Sequence, residues 1–153
     1  MTRLPGGPGE SPGFLLWQVT LGWRRAITQA LAPLELTHVQ FVLLACTWWL
    51  NEQAQAPNQQ DVAAQAGADV KMASEVLRKL EARGLLERVQ DSKDGRAKTV
   101  RVTSEGVELA REAIEIVEQA DADFLGTHSS ALARLLRQMS PSPARAAHSA
   151  TSS

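Results

Sequence analysis

The stretch from Asn58 to Thr103 constrains the fold most, because its hydrophobic period changes partway from that of a helix to that of a strand. Asn58 can cap a short helix through Ala66, and Gly67 breaks it. An amphipathic helix is then expected from about Val70 to Arg83, stopped by Gly84. Small residues at the elbow, Ala63 in the first helix and Gly67 at the turn, let the two helices cross closely, with Gly67 free to take a positive φ. After Gly84 come a strand-like LLERV, the turn-rich DSKDGRAK, and TVRVT, in which Val100 and Val102 alternate with Thr99 and Arg101. The expected unit is helix, tight turn, helix, followed by a hairpin with a long charged tip.

The second helix of the pair separates its faces by residue chemistry. Val70, Ala73, Val76, Leu77 and Leu80 form a core stripe. Opposite them stand Lys71, Ser74, Glu75 and Arg78, with Lys79 alongside, a row of donors and acceptors that suits base edges and phosphates in a major groove. A merely solvated helix has the same spacing, so the helix pair alone does not decide. The hairpin adds weight, because Lys93, Arg96 and Lys98, with Asp94 between them, place cations where a duplex backbone or minor groove would accept them.

Helices are also expected on either side. Residues 14 to 31 carry Leu16, Trp23, Ile27, Ala30 and Leu31 on one stripe that only Thr20 interrupts, and Pro33 stops them. Thr37 can cap a helix through Leu50 with two apolar faces. Val39, Val42, Leu43, Cys46, Trp49 and Leu50 form one face; Phe41, Leu44, Ala45 and Trp48 form the other, so this helix must be covered on more than one side. Residues 104 to 125 return to helix on Val107, Ala110, Ile114, Val117, Phe124 and Leu125, interrupted by Asp121, and a last helix from 129 to 139 carries Leu132, Leu135, Leu136 and Met139. With 153 residues, 44% of them hydrophobic, the chain suffices for one compact domain. The Gly/Pro-rich residues 1–13 and the polar residues 140–153 are expected to be disordered tails, leaving 14–139 as the folded unit. The fold class is mainly α with a small β-hairpin.

The net charge of −1 conceals an asymmetry. From Lys71 to Arg101 nine basic residues stand against five acidic; from Val102 to Leu125 seven acidic residues stand against Arg111 alone. The first segment suits phosphates and the second would be repelled by them. No stretch reaches the roughly 18 apolar residues of a membrane span, the N-terminus lacks an apolar signal core, and the single Cys46 suits a reducing compartment, so a cytoplasmic protein without membrane contact is expected. No nucleophile triad, phosphate loop or paired carboxylates can be found, so neither catalysis nor a cofactor is expected. His38, His128, His148 and Cys46 have no metal-ligand spacing, and Cys46 lies on an aliphatic stripe where thiols are usually inert.

The run RGLLERVQDSKDGRAKTVRVTSEG, residues 83–106, resembles the signature wing of the MarR family at Gly84, Leu85, Arg88, Asp94, Arg96, Thr103 and Gly106, and LELTHVQFVLL at 34–44 resembles that family's second helix. The resemblance spans about residues 14 to 139. It implies a winged helix-turn-helix over 37–103, flanked by dimerisation helices at 14–32 and 104–139, in a homodimer that binds a pseudo-palindromic operator in double-stranded DNA. It also implies that Arg96 enters the minor groove with Asp94 as ion-pair partner, and that the helix at 70–83 reads bases. Glu75 departs from the pattern, since Arg is frequent there; its carboxylate either accepts from a cytosine N4 or weakens phosphate contact. Relatives often bind aromatic or phenolic effectors, for which Trp17, His38, Phe41 and Trp48 are the candidate lining. Leu16, Trp23, Leu132, Leu135, Leu136 and Met139 are the candidate dimer contacts. The alternative is a winged helix used for protein docking, which has no need of clustered Lys93, Arg96 and Lys98.

Overall fold

The computed structural model describes residues 4–90 and 98–140. In chain order it contains α1 (Pro12–Leu31), α2 (His38–Glu52), α3 (Gln59–Ala66), α4 (Val70–Ala82), β1 (Leu86–Gln90), β2 (Lys98–Val102), α5 (Ser104–Leu125) and α6 (Ser129–Met139). Single 3-10 turns lie at Pro8–Glu10, Ala32–Leu34 and Gly126–His128. The fold is mainly helical with one small antiparallel sheet, as the sequence leads one to expect.

Most helices start at a residue whose side chain satisfies a free backbone N–H of the first turn. Thr37 and Gln40 form a reciprocal capping box on α2, and Asn58 and Asp61 form another on α3. Asp69 accepts from Met72 N at the start of α4, and Thr103 accepts from Gly106 N at the start of α5. α1 begins at Pro12, two residues ahead of the expected start at 14: Ser11 accepts from Phe14 N, and Pro at the first helical position costs no hydrogen bond.

α2 is the central element, packing against α1, α3, α4, α5 and β2. That cover explains its two apolar faces: Leu43, Leu44 and Leu50 are buried on it. Thr47, outside both expected stripes, is fully buried because its Oγ1 donates to Leu43 O at 2.7 Å. Trp49, placed on an apolar stripe by its spacing, is instead 56% exposed. The core continues through Ile27 and Leu31 of α1, Val62 and Ala63 of α3, Ala73, Leu77 and Leu80 of α4, Val100 and Val102 of β2, and Ala110, Ala113 and Val117 of α5. By contrast α6 buries no residue, and the first half of α1 leaves Phe14, Leu15, Leu16, Trp17 and Val19 exposed. No single described helix is long and apolar enough to cross a membrane.

Candidate nucleic-acid interface

α3 and α4 meet at Gly67, which takes φ +68° and closes α3 through its backbone N–H. A side chain at that φ would be strained, which is why the elbow carries glycine. Ala63 is fully buried under the crossing. On α4 the buried Ala73, Leu77 and Leu80 fix the rotation of the helix, and with it the outward row: Lys71, Glu75, Arg78 and Lys79 are exposed and Ser74 is half-buried at the edge. Val70, at the first position of the expected core stripe, is 42% exposed, since the stripe starts inside the helix at Ala73.

The hairpin stands beside this helix. β1 and β2 pair in register from Leu86↔Val102 to Gln90↔Lys98. Lys98 opens β2 and is exposed, whereas Lys93, Asp94 and Arg96 lie outside the described residues. Several residues of the wing-like sequence run hold the base of the hairpin in place. Gly84 takes φ +75° between α4 and β1. Thr103 Oγ1 donates to Gly84 O at 2.7 Å while accepting from Gly106 N at 3.1 Å, and Thr103 N donates to Leu85 O at 3.1 Å. Gly106 lets α5 lie directly against the backbone of Leu85, because a Cβ there would fall 2.1 Å from Leu85 O. Arg88 Nε lies 3.2 Å from Glu81 Oε2, tying β1 to α4.

On the other side of the domain, α1, α5 and α6 enclose an apolar cleft of about 330 Å³ lined by Leu16, Val19, Trp23, Leu132 and Leu136, with Thr20 and Asp121 as its polar members. Trp23 is therefore partly an internal residue: its Nε1 donates to Asp121 Oδ1 at 2.6 Å, and its ring meets His38 edge-on with centroids 5.0 Å apart. Leu135 and Met139 are 56% and 70% exposed. By spacing, Thr20 and Asp121 are only interruptions of their stripes. An interruption on an otherwise apolar face is the one sequence signal that a polar partner waits across the interface.

Of the four aromatic-pocket candidates, His38, Phe41 and Trp48 share one side of α2 and are each half-buried, whereas Trp17 is 62% exposed on α1. Trp48 lies against the Arg111 guanidinium, 5.6 Å from the ring centroid, and its indole N–H is buried without an acceptor among the described residues. His38 lines a separate cleft of about 250 Å³ with Arg24, Val39, Val42, Leu43, Ala66, Gly67, Ala68 and Met72, which contains none of the other three. Burial, and next the Arg24 charge, hold the His38 pKa below its ordinary value, against the pull of Asp121. Burial pushes the Cys46 thiol up, which disfavours the reactive thiolate.

The MarR family model matches residues 36–98. The HTH-type transcriptional regulator YdcH of Bacillus subtilis is 41% identical over 118 residues, covering 77% of this chain and 80% of that protein. The chain belongs to the MarR family. Its MarR-type fold also matches the structure of BpsR from Bordetella bronchiseptica, described with regulation of its DNA binding by 6-hydroxynicotinic acid. That match has a TM-score of 0.79 and 29% identity over 91% of this chain and 99% of the other. The transcriptional repressor Rv2887 of Mycobacterium tuberculosis is 31% identical over 83% of this chain and 88% of its own. The structure of Rv2887 in complex with salicylic acid superposes at a TM-score of 0.65, with 29% identity over 85% and 96% of the two chains. The protein is thus a MarR-family transcriptional regulator, from a family of regulators rather than of enzymes.

Proposed function

We propose that the protein is a repressor that binds a pseudo-palindromic operator as a homodimer and releases it when a small aromatic effector binds. The observation that carries this reading is the outward row of α4, where Lys71, Ser74, Glu75, Arg78 and Lys79 stand opposite a buried stripe and beside a hairpin whose second strand opens with exposed Lys98. Such a row fits the major groove, with Arg96 of the hairpin tip in the flanking minor groove, Asp94 as its ion-pair partner and Lys93 toward the phosphates. Two copies related by a two-fold axis would read half-sites about 10 base pairs apart. Repression follows Rv2887, named a repressor.

Dimerisation is supported by the uncovered apolar faces of α1 and α6, since Leu16, Trp23, Leu132 and Leu136 line one cleft and Leu135 and Met139 extend it outward. The effector reading is supported by BpsR and Rv2887 and by the cleft at His38, whose walls come from α1, α2 and the α3–α4 elbow. An occupant there would press on Met72, next to Lys71, and so favour one setting of the reading helix over another.

The test is operator binding at several salt concentrations with duplexes selected from random DNA. Lys71→Ala and Arg78→Ala each lose about 1 to 3 kcal/mol of binding, and Arg96→Ala flattens the salt dependence by about one phosphate contact per subunit. Unchanged affinity and slope in all three folded variants would refute the reading.

A further inference from the structure

A two-stranded hairpin standing alone is marginal in water, so whatever holds its base sets its direction. Here the two strands are held by different devices. On β1, Arg88 reaches Glu81 of α4 and also places Nη1 3.5 Å from Gln59 Oε1 at the start of α3. On β2, the edge turned away from β1 is occupied by one side chain, Asn51, in the last turn of α2. Its Nδ2 donates to Val100 O at 3.1 Å, and its Oδ1 accepts from Val102 N at 3.0 Å. A neighbouring strand would make the same bonds, taking a C=O and an N–H from alternate residues of the edge. Pro57 O completes the edge by accepting from Val100 N at 2.7 Å.

We propose that Asn51 is a positioning residue for DNA recognition, a one-residue substitute for a third strand that sets the angle between the hairpin and α4. The inference rests on the DNA-binding reading above. α2 is the central element of the core, so a bond from its last turn refers the hairpin to the helix that packs against α1, α3, α4 and α5. α4 is seated in the core by Leu77 and Leu80, and the Arg88–Glu81 pair joins it to β1 rather than to β2. Loss of the Asn51 amide therefore frees the hairpin to roll while the reading helix keeps its place. Only Asn can make both bonds at this distance, because Asp has no donor for Val100 O and Gln carries its amide one carbon farther out.

The experiment compares wild type, Asn51→Ala, Asn51→Asp and a stability control, Val117→Ala on α5, on a duplex selected from random DNA by the wild type. Affinity, its salt dependence and hydroxyl-radical footprints are read for each, with thermal melts alongside. In both Asn51 variants the expected result is an affinity loss of about tenfold, a shallower salt slope and loss of protection at the flanks of the site, with protection at the half-site centres retained. Val117→Ala, at an equal or greater loss of thermal stability, keeps its flanks. Flank protection retained in Asn51→Ala, or lost equally in Val117→Ala, overturns the proposal. Amide exchange on the wild type tests the clamp without any variant: Val102 N–H should be protected as well as the β1–β2 ladder, and exchange as fast as in an open loop overturns the proposal even if the variants do not fold. A wild type that binds no duplex refutes the DNA reading and the role of Asn51 together, whereas wild-type binding with unchanged Asn51 variants refutes the role alone.

Discussion

Replacing Gly106 by Ala adds one methyl group at the tightest contact between α5 and the hairpin base. In an exposed helix the change would gain up to about 1 kcal/mol in propensity. Here the new Cβ would fall 2.1 Å from Leu85 O and 2.6 Å from Val102 Cγ1. Ordinary carbon–oxygen contacts are about 3.3 Å or longer, so backbone must shift by about 1 Å. Leu85 O cannot move alone, because it accepts from Thr103 N at 3.1 Å, while Thr103 Oγ1 holds Gly84 O. Overpacking of this kind costs about 1 to 3 kcal/mol and the strained hydrogen bond about 1 more, so the net loss after the propensity gain is about 2 kcal/mol. With urea slopes of about 1 to 3 kcal/mol per molar, the unfolding midpoint should fall by about 1 M. The assay is urea unfolding at one fixed protein concentration, because association adds to the apparent stability of a dimer. A Gly106→Ala protein as stable as wild type would refute the close approach of α5 to Leu85.

Three further outcomes are expected. Trp23→Phe keeps an aromatic side chain but removes part of the indole together with the N–H whose hydrogen bond Asp121 accepts; the half-buried carboxylate loses its bond and the cleft some packing, at about 2 kcal/mol in denaturant unfolding, and no measurable change would count against this contact. His38 resists protonation in the native state, so the unfolded chain binds the proton first as pH falls below about 6.5 and stability declines there; His38→Gln should lose less stability than wild type between neutral and mildly acid pH, and identical pH profiles would count against the burial of His38 beside Arg24. Leu136→Asp puts a charge on the uncovered face of the α1/α5/α6 cleft and should yield monomers by light scattering, an undisturbed dimer removing this face from the interface.

The elements were legible because each is written locally. Caps at Thr37 and Asn58, breaks at Gly67 and Gly84, and the change from helical to alternating spacing all act within a few residues of where they stand. The outward row of α4 was legible for the same reason, since a stripe on one face defines the other. What spacing did not reveal are contacts between residues far apart in the chain. Asn51 sits in a polar run that reads as the end of a helix, and nothing near it names Val100 and Val102 as partners. The cleft around His38 is not legible because Arg24 and Met72, which complete it, stand on other elements, far from His38 in the chain. Trp49 shows the converse: its spacing is that of a core residue, but among the described residues no element covers it.

Only Thr103 separates the end of β2 from the start of α5, whose far end reaches the cleft it shares with α1 and α6. With 22 residues it is a rod about 33 Å long. Its length makes it an amplifier of angle. If the helical base of the molecule is re-seated so that this rod tilts by roughly 10°, its hairpin end travels about 6 Å, nearly two base-pair steps of about 3.4 Å. In the homodimer proposed above, a modest rearrangement at the face between the two copies would therefore be enough to put the proposed reading helices out of phase with the turn of the double helix, with no change inside either winged unit.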